Sequence, residues 1–309
     1  MKNNILIISI VISILTLSCE SQEQEFTSLF NGKDLTNWTL NKPGSFEVID
    51  GELITRSSGS GTDIFSEKTY SNFILQLEFL LSEVGNSGVF IRRDPAVPGS
   101  GFEVQLLAPW TPWRDDLHCT GSLYGHVAVT NRPDETTGKW YQMEIKCDRN
   151  IVSVSVNDLV TTIADIDTVK TLADKPLTGY IGFQGNHAEK PDQFARFRNI
   201  RIRDLDSEPD YVLDGFKNSD WEVRYVSNLS AVKLGAVMIR SMADMMSGND
   251  PMLKSEARQV IFDIVAKVSD PVVSEKERRK VRREIEQSIK ASSSEITSNY
   301  LEWIMGMIQ

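Results

Sequence analysis

Glu103 and Gln105 stand two residues apart in GFEVQLL, residues 101–107. Phe102, Val104 and Leu106 alternate with them. A period of two predicts a strand with one apolar face and one face carrying a carboxylate beside an amide. The pattern recurs along the chain. NFILQLEFLL places Gln76 and Glu78 together, opposite Leu75, Leu77 and Phe79. SGVFIRR places Phe90 with Arg92 and Ile91 with Arg93, and GYIGFQGNH sets Gln184 opposite Ile181 and Phe183. A sheet face of Glu, Gln and Arg can make paired hydrogen bonds to neighbouring sugar hydroxyls. Its ionisable members can also move protons. The plainer alternative is a solvated face, with Glu103 in a structural ion pair with Arg92 or Arg93.

Other candidates lie in loops. His187, in GNHAEKPD, offers an imidazole that titrates near neutral pH. Residues 94–133 contain one clear short strand and carry Trp110, Trp113, His118, Tyr124 and His126. Long ordered loops rich in aromatics are often functional, and Trp faces stack on sugar rings. The same two tryptophans would also serve to cap a sheet edge. His118 and His126 flank Cys119 and Tyr124, and Asp115 and Asp116 with loop carbonyls would suit a hard cation. No recognised ligand spacing accompanies them. The sequence therefore assigns no metal ligands and requires no cofactor, while a divalent cation stays open.

These side chains need a sheet to hold them. From Phe26 to Asp206 short alternating or β-branched runs are separated by Gly, Asn, Asp and Pro. Eight or more such runs with few helical patterns indicate a mainly β sandwich or jelly roll. WYQMEIKC and IVSVSVND form a hairpin around Asp148-Arg149-Asn150. From Tyr211 the period changes to three and four. WEVRYVSNLSAVKLGAVMIRSMADMM, SEARQVIFDIVAKVSD, SEKERRKVRREIEQSIKA and SSEITSNYLEWIMGMIQ read as four helices, resembling HEAT-type repeats without a clean period. Residues 206–210 read as a linker. The expected organisation is a sandwich over 26–206 and an all-α region over 211–309, with truncation at its end left as an open reading. A docked protein partner is one reading of the helices.

The first 19 residues have a lysine at position 2 and an apolar run from Ile5 to Leu17, ending at Ser18-Cys19. The run suits a signal peptide better than a membrane span. A small residue before a cysteine resembles a bacterial lipoprotein box, although Leu17 stands where a small residue is usual. Cys19 is then the expected lipidation site, and residues 20–25 the tether to an envelope membrane facing periplasm or cell surface. The alternative is an ordinary cleaved signal and a secreted protein. Cys119 and Cys147 remain, as a disulfide or as two thiols. Acidic residues outnumber basic ones 43 to 33, giving a net charge of −10. Without a basic stripe, this argues against nucleic acid as a partner.

The stretch FTSLFNGKDLTNW resembles the opening of the 3-keto-disaccharide hydrolase family, formerly a domain of unknown function. The resemblance continues through SEKTYSNFILQLEF, GNSGVFIR, GFEVQLL, TGSLYG, GKWYQMEI, VNDLV, TGYIGFQGNH and FRNIRI, in family order. It covers roughly Phe26 to Leu205 and leaves the helices outside. It implies a concanavalin A-like jelly roll and an exported enzyme that cleaves glycosides oxidised to a ketone at sugar carbon 3. The ketone acidifies the hydrogen on carbon 2. A base removes it, β-elimination expels the oxygen on carbon 1, and water adds to the enone. In that chemistry Glu103 and His187 are competing candidates for the base. Arg92, Gln105 and Gln184 would hold hydroxyls or the enolate oxygen, Tyr124 would protonate the leaving group, and Trp110 and Trp113 would flank the sugar. The alternative is a non-catalytic carbohydrate-binding module of the same fold.

Overall fold

The structure is a computed structural model that describes residues 25–56, 63–112, 114–185 and 192–308. Cys19, Trp113 and His187 lie outside these residues. The strands, in chain order, are β1 (Thr27–Ser28), β2 (Trp38–Leu40), β3 (Phe46–Ile49), β4 (Glu52–Thr55), β5 (Ile64–Tyr70), β6 (Phe73–Leu81) and β7 (Asn86–Arg93). They continue with β8 (Phe102–Leu107), β9 (Tyr141–Asp148), β10 (Ile151–Val156), β11 (Leu159–Asp165), β12 (Gly179–Phe183) and β13 (Ala195–Asp204).

They form two antiparallel sheets among the described residues. The larger runs β11-β10-β9-β6-β13-β4-β3, with β1 added along β13. The smaller runs β2-β5-β12-β7-β8. This is a jelly-roll-type sandwich, as the strand count and the alternation predict.

The alternation explains which sheet faces meet. In β6, Phe73, Leu75, Leu77 and Phe79 are buried while Ile74, Gln76 and Glu78 are half-exposed. In β8, Phe102, Val104 and Leu106 point into the core. Phe183 of the smaller sheet meets Phe197 of the larger at 4.5 Å between ring centroids and Trp38 at 5.5 Å. Burying each such side chain contributes roughly 1.5–3 kcal/mol. Cys119 and Cys147 are both buried and both free, so the two thiols do not pair.

Residues 205–207 form a 3₁₀ turn, and α1 (Pro209–Gly215) follows directly. Asp206 is buried there and accepts from the Asn72 backbone amide at 3.0 Å and its Nδ2 at 2.9 Å. The segment read as a linker is thus fastened to the start of β6. The long helical run after it is broken into α2 (Trp221–Leu234) and α3 (Ile239–Ser247) at Gly235, whose φ of 69° only glycine adopts readily. α4 (Pro251–Val268), α5 (Glu275–Ala291) and α6 (Glu295–Met305) complete the region. Asp250, Ser274 and Ser294 cap these three through side-chain oxygens. Met238, Met242 and Met246 lie in the helical core. α2 also sends Val223 and Val226 into the sandwich core, so the two regions share packing. Among the described residues no helix is long and apolar enough to cross a membrane.

Candidate functional site

The outer face of the smaller sheet brings together Glu103, Gln105, Gln184 and Tyr124. β7 and β8 pair Phe90 with Glu103 and Gly88 with Gln105. On the other side of β7, Gly182 of β12 pairs with Phe90 and also with Phe65 of β5. Side chains on this face therefore meet two glycines. A Cβ at Gly88 would fall on the Glu103 carboxylate, and one at Gly182 would fall on the Phe65 ring. The space those side chains would take is filled by the Phe65 ring and by the Glu103 carboxylate. Phe65 and Phe90 stack beside it at 5.7 Å.

The amides close around that carboxylate. Gln184 Nε2 donates to Glu103 Oε1 at 2.8 Å, and the Gln184 backbone amide donates to the Gly88 carbonyl at 2.9 Å. Gln105 is buried beside it. With its amide turned to satisfy its neighbours, the Gln105 nitrogen donates to Glu103 Oε1 at 3.2 Å and to the Ser87 carbonyl at 3.3 Å. Two neutral amide donors thus hold the Glu103 carboxyl group in place.

The next row is contributed by a loop. Leu123 bridges Val104 and is fully buried. Tyr124 follows it, directly across from Glu103, and its amide donates to the Glu103 carbonyl at 2.9 Å. Alternation then sends Tyr124 to the Glu103 side, where it is 38% exposed. The His118 ring meets the Tyr124 ring edge to face at 4.9 Å. His118 Nδ1 is 2.7 Å from Asp115 Oδ1. That hydrogen bond, first among its causes, holds the Asp115 carboxyl below its ordinary range. The result is a line of side chains running Phe90, Glu103, Tyr124, His118, Asp115.

Buried contacts hold this loop in place. Glu135, nearly buried, forms an ion pair with Arg114 and accepts from the Thr120 amide at 3.0 Å. Arg132 Nε reaches Asp116 Oδ1 at 2.5 Å. Thr161 and Thr162 hydroxyls donate to the Gly121 carbonyl at 3.1 and 2.8 Å. Among the described residues no group of three His, Cys, Asp or Glu side chains converges as a metal site would require.

Arg92 is elsewhere. The ladder between β12 and β7 shifts register, pairing Tyr180 with Arg93 and Gly182 with Phe90. Arg92 takes φ 50° at this bulge and is fully buried. Its Nε and Nη2 donate to the Ser71 carbonyl at 2.9 and 2.7 Å, and Nη2 reaches the Arg149 carbonyl at 2.9 Å. The expected pairing of Phe90 with Arg92 on one face is therefore corrected. Arg93 takes the Phe90 side, its guanidinium 5.1 Å from the ring centroid. Trp110 follows the far end of β8 and is 47% exposed. Arg93 and Trp110 thus lie beyond opposite ends of the Glu103–Gln105 pair along the strands.

Gln76 and Glu78 lie on the other sheet. There a depression of about 540 Å³ is lined by Gln76, Glu78, Glu144 and Arg201, among others. Its polar groups largely satisfy one another. Gln76 donates to Glu144 at 2.7 Å, Arg201 to Gln76 at 2.9 Å and Arg198 to Glu78 at 2.7 Å. It holds none of the Glu103 cluster.

The close approach of Glu103 to Gly88 yields a direct test. Gly88→Ala places a methyl against the Glu103 carboxylate, a flexible group that can swing away. We expect catalysis to fall by at least ~10-fold, because small misplacements of reacting groups are costly. Thermal melting should shift little. Unchanged turnover would show that Glu103 does not act from this position.

The family model of the 3-keto-alpha-glucoside-1,2-lyase-like domain matches residues 25–203. A crystal structure from Parabacteroides distasonis ATCC 8503, provisionally described as a glycosyl hydrolase, superposes with a TM-score of 0.51 at 26% identity, covering 58% of this chain and 98% of that one. A second protein of that organism, with the same provisional description, gives 0.49 at 23%, covering 58% and 93%. A Bacillus licheniformis β-glucanase gives 0.40 at 12%, covering 59% and 99%. No curated protein matches the chain significantly. The family model and the first of these structures mark the sandwich as carbohydrate-active and hydrolase-like. The chain belongs to the family of 3-keto-alpha-glucoside-1,2-lyase-like domains.

Proposed function

We propose that this protein cleaves 3-keto-glycosides on the outer face of its smaller sheet, by removing the carbon-2 proton and eliminating the oxygen on carbon 1. The observation that carries this is the Glu103 carboxylate lying over Gly88, fixed by the Gln184 and Gln105 amides. Glu103 takes the proton and the carbon–hydrogen pair passes into an enolate. The enolate collapses to an enone as the carbon 1–oxygen bond breaks. Gln184 and Gln105 orient Glu103 and hold sugar hydroxyls. Arg93 takes the role first expected of Arg92, a cation facing the enolate oxygen. The glycosidic oxygen departs on the Tyr124 side, and water adds to carbon 1 to complete hydrolysis.

His187 follows Gln184 by three residues and lies outside the described residues; it remains the rival base. Purified protein should release aglycone from a 3-keto-glucoside and leave the unoxidised glucoside intact. Binding of either sugar without release would favour a carbohydrate-binding module instead.

We also infer a lipid anchor at Cys19, supported by the apolar run ending at Ser18. Fatty-acid label should enter the wild type in the producing cell and be lost in Cys19→Ser. Label retained in the variant would remove the anchor from that residue.

A further inference from the structure

The elimination leaves one proton transfer unassigned, because the departing oxygen needs an acid. We infer that His118, oriented by Asp115 and packed against Tyr124, is that acid; this rests on the proposed elimination at Glu103.

The geometry supports a division of labour along the row. Elimination requires the base near carbon 2 and the acid near the oxygen leaving carbon 1, so the two must flank one sugar ring. Tyr124 stands between them, directly across the strands from Glu103 and edge to face with His118. Opposed strand residues have their Cβ atoms roughly 5 Å apart. The Tyr124 side chain therefore stands beside Glu103, and His118 is the next group along the row.

Asp115 sets the imidazole's orientation. Its Oδ1 meets Nδ1 and also accepts from the Leu117 amide at 2.9 Å, so the carboxylate is itself fixed. A carboxylate at Nδ1 turns Nε2 away from the pair. The His118 side chain is 27% exposed, enough for a ligand to reach. As a class, imidazolium groups are stronger acids than phenols. Tyr124 is thereby the positioning group.

The balance closes. The carbon 2 proton goes to Glu103, the electron pair forms the carbon 1–carbon 2 double bond, and the oxygen leaves with the pair of its broken bond. That oxygen takes the proton of imidazolium Nε2. Exchange with water then restores both side chains.

Leaving groups separate this role from a structural one. Two substrates share the 3-keto-glucosyl unit. One releases a sugar alcohol and needs an acid, whereas the other releases 4-nitrophenolate, a stable anion. His118→Ala should lose about 10²-fold or more on the first. On the second it should stay within a few-fold of wild type. Added imidazole should restore part of the lost rate. Asp115→Asn should show the same preference in milder form. Equal losses on both substrates, no loss on either, or no rescue by imidazole would overturn the assignment. Failure of the wild type to cleave either substrate would instead remove the elimination itself, and the acid role with it.

Discussion

Glu103→Gln should lose about 10²–10⁴-fold in turnover of a 3-keto-glucoside, or roughly 3–5 kcal/mol of transition-state stabilisation. The substitution keeps shape and hydrogen-bonding reach but removes the base. Because Gln184 donates to Glu103 Oε1, the amide oxygen of the variant can still accept that bond. Fold and sugar affinity should therefore change little, and the loss should appear in kcat rather than KM. The structural ion pair with Arg92 that the sequence left open does not form, because that guanidinium is committed to Ser71 and Arg149 in the interior. His187→Ala made in parallel decides between the two bases. Near-wild-type turnover by Glu103→Gln alongside an inactive His187→Ala would transfer the role to the histidine.

The largest stability effect should come from Arg92. Its side chain is fully buried and ties the β5–β6 turn, through Ser71 and Asn72, to the β9–β10 hairpin at Arg149. Asn72 in turn bonds Asp206 and the Arg149 amide. Arg149 pairs with Asp214 of α1 at 2.9 Å. One guanidinium thus underlies the junction between sandwich and helices. Arg92→Met preserves much of the volume but leaves buried carbonyls without donors. The cost should be about 3–5 kcal/mol, read from the midpoint of urea unfolding. Arg92→Lys should rescue little, because a single ammonium cannot span Ser71 and Arg149 as the planar fork does. A loss below about 1 kcal/mol for Arg92→Met would contradict this role.

Arg92 also illustrates what the sequence conceals. Alternation identified the faces of β6 and β8 because those strands keep strict period two. In β7 the period slips by one residue at the bulge, exchanging Arg92 for Arg93. The trace of that slip lies in Gly101 and Gly179, where any Cβ would collide with the Arg92 backbone. Neither glycine stands inside the SGVFIRR run, so the pattern within β7 gives no warning. The Asp115–His118 pair escaped for a different reason. Both residues were visible, but a loop has no period, and its position depends on distant ties such as Arg114–Glu135 and Thr161–Gly121. Glu103 and Gln105 were legible because a regular strand delivers them to one face, and Gln184 follows directly after β12. Tyr124 joined them through a single bridge, Leu123 to Val104. The helix caps were equally local: Asp250 before Pro251 and Ser294 before Glu295 lie where their side chains reach the first free amides.

The central claim is that the smaller sheet's outer face breaks a carbon 2–hydrogen bond in a 3-keto-glycoside. Turnover of a 3-keto-glucoside deuterated at carbon 2 tests it most directly, compared with the protiated sugar and with the unoxidised glucoside. The account predicts slower cleavage of the deuterated sugar, washout of its label into water and no cleavage of the unoxidised control. Cleavage that retains the carbon 2 label, or equal cleavage of the unoxidised glucoside, would contradict it.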